Sequence, residues 1–431
     1  MLIVDTALAR RAEEGRPVQV GLFGAGYMAK CIVSQVVRYM PGLRIAAICN
    51  RTVSAAQNAY LAAGVEREQV VTVGSAGALT DALQQGRFAI TDDPHLLCEA
   101  GGLDVLIDAT GHVEYGARIT LAAIAAGRHM VSMNAELDAT VGPELKARAD
   151  RAGVILTGCD GDQPGVQINL LRFVKSIGLR PLICGNIKGL QDRYRTPETQ
   201  AAFAREWGQT PTMVTSFADG TKISMEQAIV ANATGMTVER RGMIGLHHTG
   251  HVDDMTGLYE IDRIRSLGGI VDYVVGPRPG PGVFVFAEAQ DDMQRHYLRY
   301  GKLGDGPLYS FYMPWHLTAI ETPLSAARVV LFADRVIAPL GPPVVDVVAT
   351  AKTDLVAGSS LDGLGGFMTY GLCERYDLVR QDGLLPMGLA EGCKLRRNVS
   401  KDQVLTWSDV IPPASGIAHE LRRAQDLRFP V

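Results

Sequence analysis

Residues 17–29, PVQVGLFGAGYMA, join an apolar strand pattern to a glycine-rich turn and the start of a helix pattern. In such a turn the first glycine, Gly24, lets the chain leave the strand sharply, and the second, Gly26, lets the backbone approach a pyrophosphate. The small Ala29 permits close packing of helix on sheet, and free N–H groups at the helix start face an anion. The stretch therefore predicts a dinucleotide site. Its expected cofactor contacts are Gly24, Gly26, Tyr27, Met28 and Ala29.

Composition narrows the class of protein. The chain has 431 residues, of which 47% are hydrophobic, so we expect two or three domains with real cores. It contains no run of eighteen apolar residues and no signal-peptide pattern, and we expect a cytoplasmic location without membrane contact. A net charge of −4 with both signs scattered argues against nucleic acid as a partner. Seven cysteines without a C-x-x-C pair are interpreted as reduced core residues.

Apolar strands and helix patterns alternate to about residue 160, which predicts a doubly wound parallel sheet of Rossmann type. Asn50 and Arg51 follow the second strand, 43–49, where a carboxylate would accept from the adenosine ribose and repel a 2′-phosphate. Since neither residue is acidic, the sequence favours NADP(H) over NAD(H). The alternative is that Arg51 is only a solvated residue at a helix start.

Further cofactor contacts are expected where later strands of the same sheet end. Ligands of open parallel sheets gather at the carboxyl ends of the strands, so Thr110, Gly111 and Asn134 should lie near the nicotinamide. Asn134 could instead merely cap the next helix, and His112 could be a surface loop residue. The strand 154–157 leads into a glycine-rich acidic turn in which Asp162 contacts substrate or metal, unless the turn is a simple Asx turn and helix cap.

The densest polar run follows the strand 182–184. It contains Lys188, Arg193 and Arg195, which suit an anionic or polyhydroxylated small-molecule substrate because arginine binds phosphate or carboxylate in bidentate fashion. The alternative is a solvated charged loop. Asp219-Gly220 predicts a hairpin turn before a helix over 225–235.

Three further polar residues begin elements. Glu226 is either a buried acid facing the site or a first-turn residue that complements the helix dipole. His316 and Glu321 stand at the start of a helix pattern and could serve the same crevice.

Two apolar segments, 268–276 and 282–287, predict neighbouring strands of a second sheet of the mixed type. A proline-rich break over 338–343 precedes short β patterns. We therefore expect a nucleotide-binding domain over 1–160, an α+β catalytic and dimerisation domain over 161–338, and a β-rich domain over 339–431. The last domain would cap the crevice or join subunits of a homo-oligomer.

The first 150 residues resemble the homoserine dehydrogenase type of Rossmann domain, and the C-terminal ninety resemble the SAF domain. Over nearly the whole length the chain is similar to the 1-deoxy-D-xylulose-5-phosphate reductoisomerase-like family. The segments that carry this resemblance are GLFGAGYMA, LIDATGHVEYG, MVSMNAELDATVGP, GCDGDQPG, IVANATG, IVDYVVG, PGVFVFA and YMPWHLTAIETPLSAARVVL. The run 189–195 departs from the family pattern, whereas Lys188 has a counterpart in it.

The resemblance implies carbohydrate chemistry in isoprenoid biosynthesis: rearrangement of a keto-sugar phosphate followed by reduction with NADPH, assisted by Mg²⁺ or Mn²⁺. Asp162 and Glu226 are then candidate ligands or bases, Lys188 the proton donor or oxyanion partner, and Arg193 and Arg195 the phosphate clamp. A plain alcohol dehydrogenase on a hydroxy acid or sugar derivative fits the residues equally well. A nucleotide-sensing protein without catalysis is a third alternative.

Overall fold

The computed structural model describes residues 3–431. Up to residue 158 helices and strands alternate. These elements are α1 (Val4–Glu13), β1 (Val18–Phe23), α2 (Tyr27–Tyr39), β2 (Leu43–Cys49), α3 (Val53–Ala63), β3 (Val70–Thr72), α4 (Ala76–Gln84), β4 (Phe88–Thr91), α5 (Pro94–Glu99), β5 (Val105–Asp108), α6 (Val113–Ala125), β6 (His129–Ser132), α7 (Ala135–Arg151) and β7 (Leu156–Gly158).

The middle of the chain is richer in helix. Its elements are α8 (Gln163–Ser176), β8 (Arg180–Lys188), α9 (Pro197–Trp207), α10 (Pro211–Asp219), α11 (Thr221–Thr234), β9 (Leu246–His247), α12 (Ile261–Ser266), β10 (Ile270–Val275), β11 (Gly282–Glu288), α13 (Asp292–Tyr300), β12 (Leu308–Met313) and α14 (Thr318–Phe332). The C-terminal elements are β13 (Val345–Ala351), β14 (Thr369–Arg375), α15 (Tyr376–Gln381), β15 (Lys394–Leu395), β16 (Val410–Ile411) and α16 (Ile417–Arg428).

The predicted parallel sheet is confirmed. Its seven strands have the order β3-β4-β2-β1-β5-β6-β7, and all of their pairings are parallel. The strand order reverses between β1 and β5, which makes their carboxyl ends the switch point where ligands of such sheets bind. Every residue of β5 is buried, as expected for a strand covered by helices on both faces.

The second sheet is mixed, as predicted, but the prediction that 268–276 and 282–287 are neighbouring strands is wrong. The order is β12-β11-β8-β10-β9, so β8 lies between β10 and β11. β8 pairs in parallel with β10 and antiparallel with β11. The two strands are close in sequence, but both pair with β8, whose residues Pro181–Ile187 are all buried.

The predicted hairpin at Asp219-Gly220 is also wrong, because the two residues join helices. α10 ends at Asp219, Gly220 adopts a left-handed φ of +93°, and α11 begins at Thr221. Asp219 Oδ1 accepts from Thr221 N at 2.8 Å, and its Oδ2 accepts from buried Lys352 at 2.9 Å. A glycine in this conformation ends a helix as readily as it turns a hairpin.

The C-terminal segment contains small antiparallel sheets, in agreement with the predicted fold class. β13 pairs with β14 along seven residues, and β15 pairs with β16. Elsewhere the short β patterns predicted after the proline-rich break form only isolated bridges, such as Leu355 with Val399 and Leu384 with Thr406. The helices α15 and α16 were not predicted from the sequence.

The chain divides into two compact units. The first comprises the chain up to Leu137 with Glu144–Asp162 and Leu317–Ala338, and the second comprises Asp138–Pro143, Gln163–His316 and Pro339–Val431. The division into domains at 160 and 338 stays a prediction. All seven cysteines are free. Within residues 3–431 every helix is too short or too polar to cross a membrane.

Candidate functional site

In the first unit, the glycine-rich turn lies where β1 gives way to α2. Gly24 has a φ of +104°, and a Cβ on it would lie 3.2 Å from the carbonyl oxygen of Ala109. Gly26 precedes α2, no side chain caps that helix start, and a Cβ on Gly26 would meet open space. Ala29 is fully buried. The turn therefore leaves backbone N–H groups and space available for a phosphate, as a dinucleotide requires. Tyr27 and Met28 form the first turn of α2.

The two residues after β2 have different roles. Asn50 Oδ1 accepts from Ala25 N at 3.1 Å, and its Nδ2 donates to Thr52 O at 2.9 Å, so Asn50 fixes the glycine turn from the neighbouring strand. Arg51 is exposed, and its guanidinium pairs with no residue in the described part of the chain. A free cation stands where NAD-specific proteins place a carboxylate.

Buried Asp108 organises the ends of β5 and β6. Its Oδ1 accepts from Thr110 N at 2.9 Å and Oγ1 at 2.6 Å, and its Oδ2 accepts from Asn134 Nδ2 at 3.2 Å. Asn134 also donates to His112 O at 3.0 Å and caps α7 by accepting from Leu137 N at 3.1 Å. Burial raises the pKa of Asp108. Asn134 thus fixes the edge of the sheet through hydrogen bonds within the fold. One of these bonds caps α7, as the alternative interpretation predicts.

Two neighbours complete this edge. Gly111 adopts a left-handed φ of +72°, and His112 is exposed at the start of α6 without capping it. That Thr110, Gly111 and Asn134 contact the cofactor stays a prediction.

The acidic turn after β7 is held against α14 in the first unit. Asp160 accepts from Arg328 Nη1 at 2.5 Å and from Ser325 Oγ at 2.9 Å. Gly161 has a φ of +77°, and a Cβ there would lie 2.7 Å from the Cβ of Glu321. Asp160 therefore has a structural role. Asp162 is half-buried, and its carboxylate forms no hydrogen bond or ion pair with the described residues. Glu321 accepts from Leu317 N at 3.2 Å, and burial raises the pKa of its carboxyl.

In the second unit, Asn186 is the centre of a buried amide cluster. Its Nδ2 donates to Glu226 Oε2 at 2.9 Å and to Gln163 Oε1, while its Oδ1 accepts from Gln167 and from Gln227 at 3.2 Å. All five side chains are at most 4% exposed. Glu226 is thus buried and lies beyond the first turn of α11, which excludes the first-turn alternative. That Glu226 faces the substrate stays a prediction. The partners also explain how a polar residue occupies the middle of a buried strand.

Lys188 ends β8 and is the most unusual charged residue of the unit. The sequence placed it in a loop after residue 184, but the strand continues to Lys188. Its ammonium forms no hydrogen bond or ion pair with any residue in 3–431. Burial lowers the pKa of Lys188, the nearby Glu226 carboxylate opposes that change, and the Lys222 ammonium adds to it. A desolvated amine without a structural partner can exchange a proton with a bound molecule.

The remaining cations lie after β8 and before α14. Arg195 pairs with Asp192 at 3.0 Å, and its carbonyl accepts from Lys352 at 2.8 Å. The Arg193 guanidinium lies 5.9 Å from the ring centre of Tyr370. His316 is half-buried and belongs to the segment of chain that follows β12. The phosphate-clamp role of Arg193 and Arg195 stays a prediction, with Arg195 also engaged in an ion pair.

Sequence reasoning missed Lys222. The residue lies one turn before Glu226 in α11, and the mistaken hairpin placed it outside that helix. Within residues 3–431 no group of three or more His, Cys, Asp or Glu is arranged to hold a metal ion.

The parallel sheet has its glycine turn at the switch point, and a segment of the second unit matches an oxidoreductase catalytic domain. These two findings define the class: the protein is an NAD(P)-dependent oxidoreductase. More particularly, residues 161–322 match the family described as oxidoreductase DRL, catalytic domain. This segment contains Lys188, Lys222, Glu226 and His316. Comparison with curated proteins gives no match.

Solved structures with similarity to the chain include three oxidoreductases. A probable dehydrogenase from Thermotoga maritima is 13% identical with a TM-score of 0.42, covering 75% of this chain and 90% of that one. A myo-inositol 2-dehydrogenase from Lactobacillus plantarum is 10% identical with a TM-score of 0.39, covering 74% and 91%. A 3-ketoreductase from Actinomadura kijaniata in complex with TDP-benzene and NADP is 14% identical with a TM-score of 0.36, covering 73% and 90%.

Proposed function

We propose that the protein is an NADPH-dependent reductase of a small anionic or polyhydroxylated carbonyl compound, with Lys188 as the proton donor. The observation that carries the proposal is the Lys188 ammonium itself, which is half-buried at the end of a central strand and makes no hydrogen bond or ion pair within residues 3–431. Ordinary structural lysines of this protein behave differently. Buried Lys352, for example, donates to Asp219 and to two carbonyl oxygens.

The residues around the glycine turn fit the coenzyme. Gly26 and the uncapped start of α2 would hold the pyrophosphate, and Arg51 would bind the 2′-phosphate through charge-assisted hydrogen bonds. When bound, NADPH supplies the hydride. Asn50 contributes indirectly, because its contact with Ala25 holds the turn in place.

Lys188 supplies the other half of the reduction. Its ammonium donates a proton to the carbonyl oxygen as that oxygen gains negative charge, and the amine is reprotonated from solvent. A lowered pKa suits this task, because a proton donor works best when its pKa is close to the working pH. Glu226 keeps a negative charge near Lys188, and Asn186 fixes the Glu226 carboxylate.

Two cations of the second unit support an anionic substrate. Neither Lys188 nor Arg193 forms an ion pair with any residue in 3–431. A phosphate or carboxylate on the substrate would complement these two charges. Keto-sugar phosphates and keto acids combine such a group with a reducible carbonyl, and hydroxy acids are the products of reducing keto acids.

The reductoisomerase-like resemblance adds a finer possibility to this proposal, a rearrangement of the carbon skeleton before reduction. Such a step needs stabilisation of an enediolate, for which a divalent cation is one route. Asp162 and Glu226 remain the candidate bases or ligands. The substrate screen below separates the two reactions, because rearrangement gives a branched product and plain reduction does not.

The test is an NADP(H)-coupled screen of sugar phosphates, polyols and hydroxy acids, with and without Mg²⁺ or Mn²⁺, on the native protein and Lys188→Ala. We expect Lys188→Ala to lower kcat by about 10²- to 10⁴-fold, the usual value of a positioned acid, while NADPH affinity stays unchanged. Lys175→Ala, an exposed lysine of α8, is the matched control and should retain full activity. Normal turnover in Lys188→Ala would remove the lysine from the mechanism. NADPH binding without turnover on any substrate would favour a nucleotide sensor.

A further inference from the structure

We propose that Lys222 and Glu226, one turn apart on α11, act in opposite directions on the protonation of Lys188, so that Lys222 is a positioning residue for the proton-donating lysine. The inference rests on the proposed function for its catalytic meaning. The charge arrangement itself can be measured without any substrate.

The geometry begins with the alternation of side chains in β8. Asn186 and Lys188 are two residues apart in the strand, so their side chains leave the same face of the sheet. Asn186 reaches across to the Glu226 carboxylate on α11 at 2.9 Å. The face of β8 that presents Lys188 is therefore the face covered by α11.

The same argument applies to the helix. Lys222 and Glu226 are four residues apart in α11, and residues at this spacing lie on one face of a helix. Because Glu226 faces Asn186, Lys222 stands on the strand-facing side one turn nearer the start of α11. The three charged groups thus form one cluster, contributed by two elements of the same unit.

The two charges on α11 differ in their surroundings. Glu226 is 4% exposed and held by the Asn186 amide, whose remaining hydrogen-bonding groups are taken by Gln163, Gln167 and Gln227. Its carboxylate therefore has little freedom to move. Lys222 is half-buried in the first turn of the helix, after Gly220.

The residues paired with the end of β8 on the adjoining strands carry no charge. The strand neighbours of Lys188 and Ile187 are Val275 on β10 and Gly282 on β11, and α8 contributes only amides to the cluster. Among the described residues, Glu226 and Lys222 are the charged groups that act on Lys188. Burial and Lys222 lower the pKa of Lys188, whereas Glu226 raises it.

The consequence for proton transfer follows from charge balance. When the carbonyl compound is reduced, its carbon receives the hydride that bound NADPH would supply, its oxygen receives the proton of Lys188, and Lys188 changes from ammonium to neutral amine. Lys222 favours the neutral amine and so makes the ammonium a stronger acid, as a neighbouring cation does for other catalytic lysines. Glu226 has the opposite effect and keeps a population of ammonium ready before the reaction.

The experiment measures Lys188 directly in the substrate-free protein. Acetic anhydride acylates only neutral amines, so the rate of Lys188 acetylation against pH, followed by mass spectrometry, gives its titration curve. We compare the native chain with Lys222→Met, Lys222→Arg and Glu226→Gln. In Lys222→Met the labelling rate at pH 7.5 should fall severalfold, and in Glu226→Gln it should rise severalfold. Lys222→Arg keeps the charge and should match the native curve.

The outcome discriminates between tuning and other roles of Lys222. An unchanged curve in Lys222→Met, or a curve that moves equally in Lys222→Arg, would overturn the inference. So would a Lys222→Met enzyme with a raised KM but an unaltered pH profile of kcat, since that result means Lys222 binds substrate. If the curves shift as expected but Lys188→Ala retains activity, the proposed function fails while the charge arrangement stands.

Discussion

At the level of a single side chain, we propose that Arg51 sets the preference for NADPH over NADH. Its guanidinium is exposed and unpaired within residues 3–431, so it can bind the 2′-phosphate that distinguishes NADPH from NADH. Arg51→Asp replaces this cation by a carboxylate that repels the phosphate. Since a hydrogen bond to a charged group contributes about 1.5–3 kcal/mol, we expect the preference for NADPH over NADH to fall by about 10- to 100-fold.

Titration of both coenzymes against the native protein and the variant measures this preference as a ratio of dissociation constants. Arg67→Asp makes the same charge change at another exposed arginine of the first unit and should leave the ratio unaltered. An identical ratio in native protein and Arg51→Asp would contradict the assignment of Arg51.

Part of the candidate site could be predicted from the residue types alone. Lys188 and Glu226 could be chosen from the sequence because charged side chains next to an apolar strand or inside a small-residue helix are unusual. Asn186 was passed over as a site residue, because its role depends on amides from α8 and α11 that are distant in sequence. Long-range partners of this kind leave no local pattern.

At the scale of elements, long periodic segments were predictable and short junctions were not. β1, α2 and β5 follow their hydrophobic patterns, since burial on the parallel sheet dictates them. The junction at Gly220 was mistaken for a hairpin because Asp-Gly serves both kinds of turn. The end of β8 was placed too early, because a strand that contains Asn186 and Lys188 needs partners from other elements to remain paired.

The contact between the acidic turn and α14 gives an element-scale prediction. Asp160 and Arg328 form a buried ion pair, with side chains 6% and 12% exposed. Arg328→Met removes this cation from Asp160 and also from Asp334, which Arg328 contacts at 2.7 Å, and we expect a loss of about 3–5 kcal/mol in the free energy of unfolding. Urea unfolding followed by circular dichroism measures the loss.

The chain offers a matched control in Arg299, whose ion pair with Asp305 is 75% and 77% exposed. Because exposed pairs contribute little, Arg299→Met should change stability by less than about 1 kcal/mol. Equal effects of the two substitutions would show that the buried pair has no special role in holding the turn.

For the whole molecule, Asp138 predicts how stability depends on pH. Burial raises the pKa of this carboxyl from 3.8 to about 7. A Cβ on Gly142, one turn later, would lie 1.9 Å from Asp138 Oδ1, so the glycine makes room for the group. The folded state holds a proton that the unfolded state loses, and the resulting stability is complete below pH 3.8 and disappears as pH rises through about 7.

Asp138→Asn removes this dependence, because an amide stays neutral at every pH. Between pH 5 and pH 8 the native chain should lose on the order of 2 kcal/mol more than the variant in free energy of unfolding. Urea unfolding curves at a series of pH values provide the comparison. Parallel pH profiles for the two proteins would mean that the Asp138 carboxyl is ionised in the folded state.

The account as a whole depends on a reducing coenzyme bound at the turn between β1 and α2. A crystal structure with NADP⁺ added tests this claim most directly. We predict the pyrophosphate beside Gly26 and the first N–H groups of α2, with the 2′-phosphate within hydrogen-bonding distance of Arg51. A pyrophosphate found elsewhere, or a 2′-phosphate held by other residues with Arg51 turned away, would contradict it.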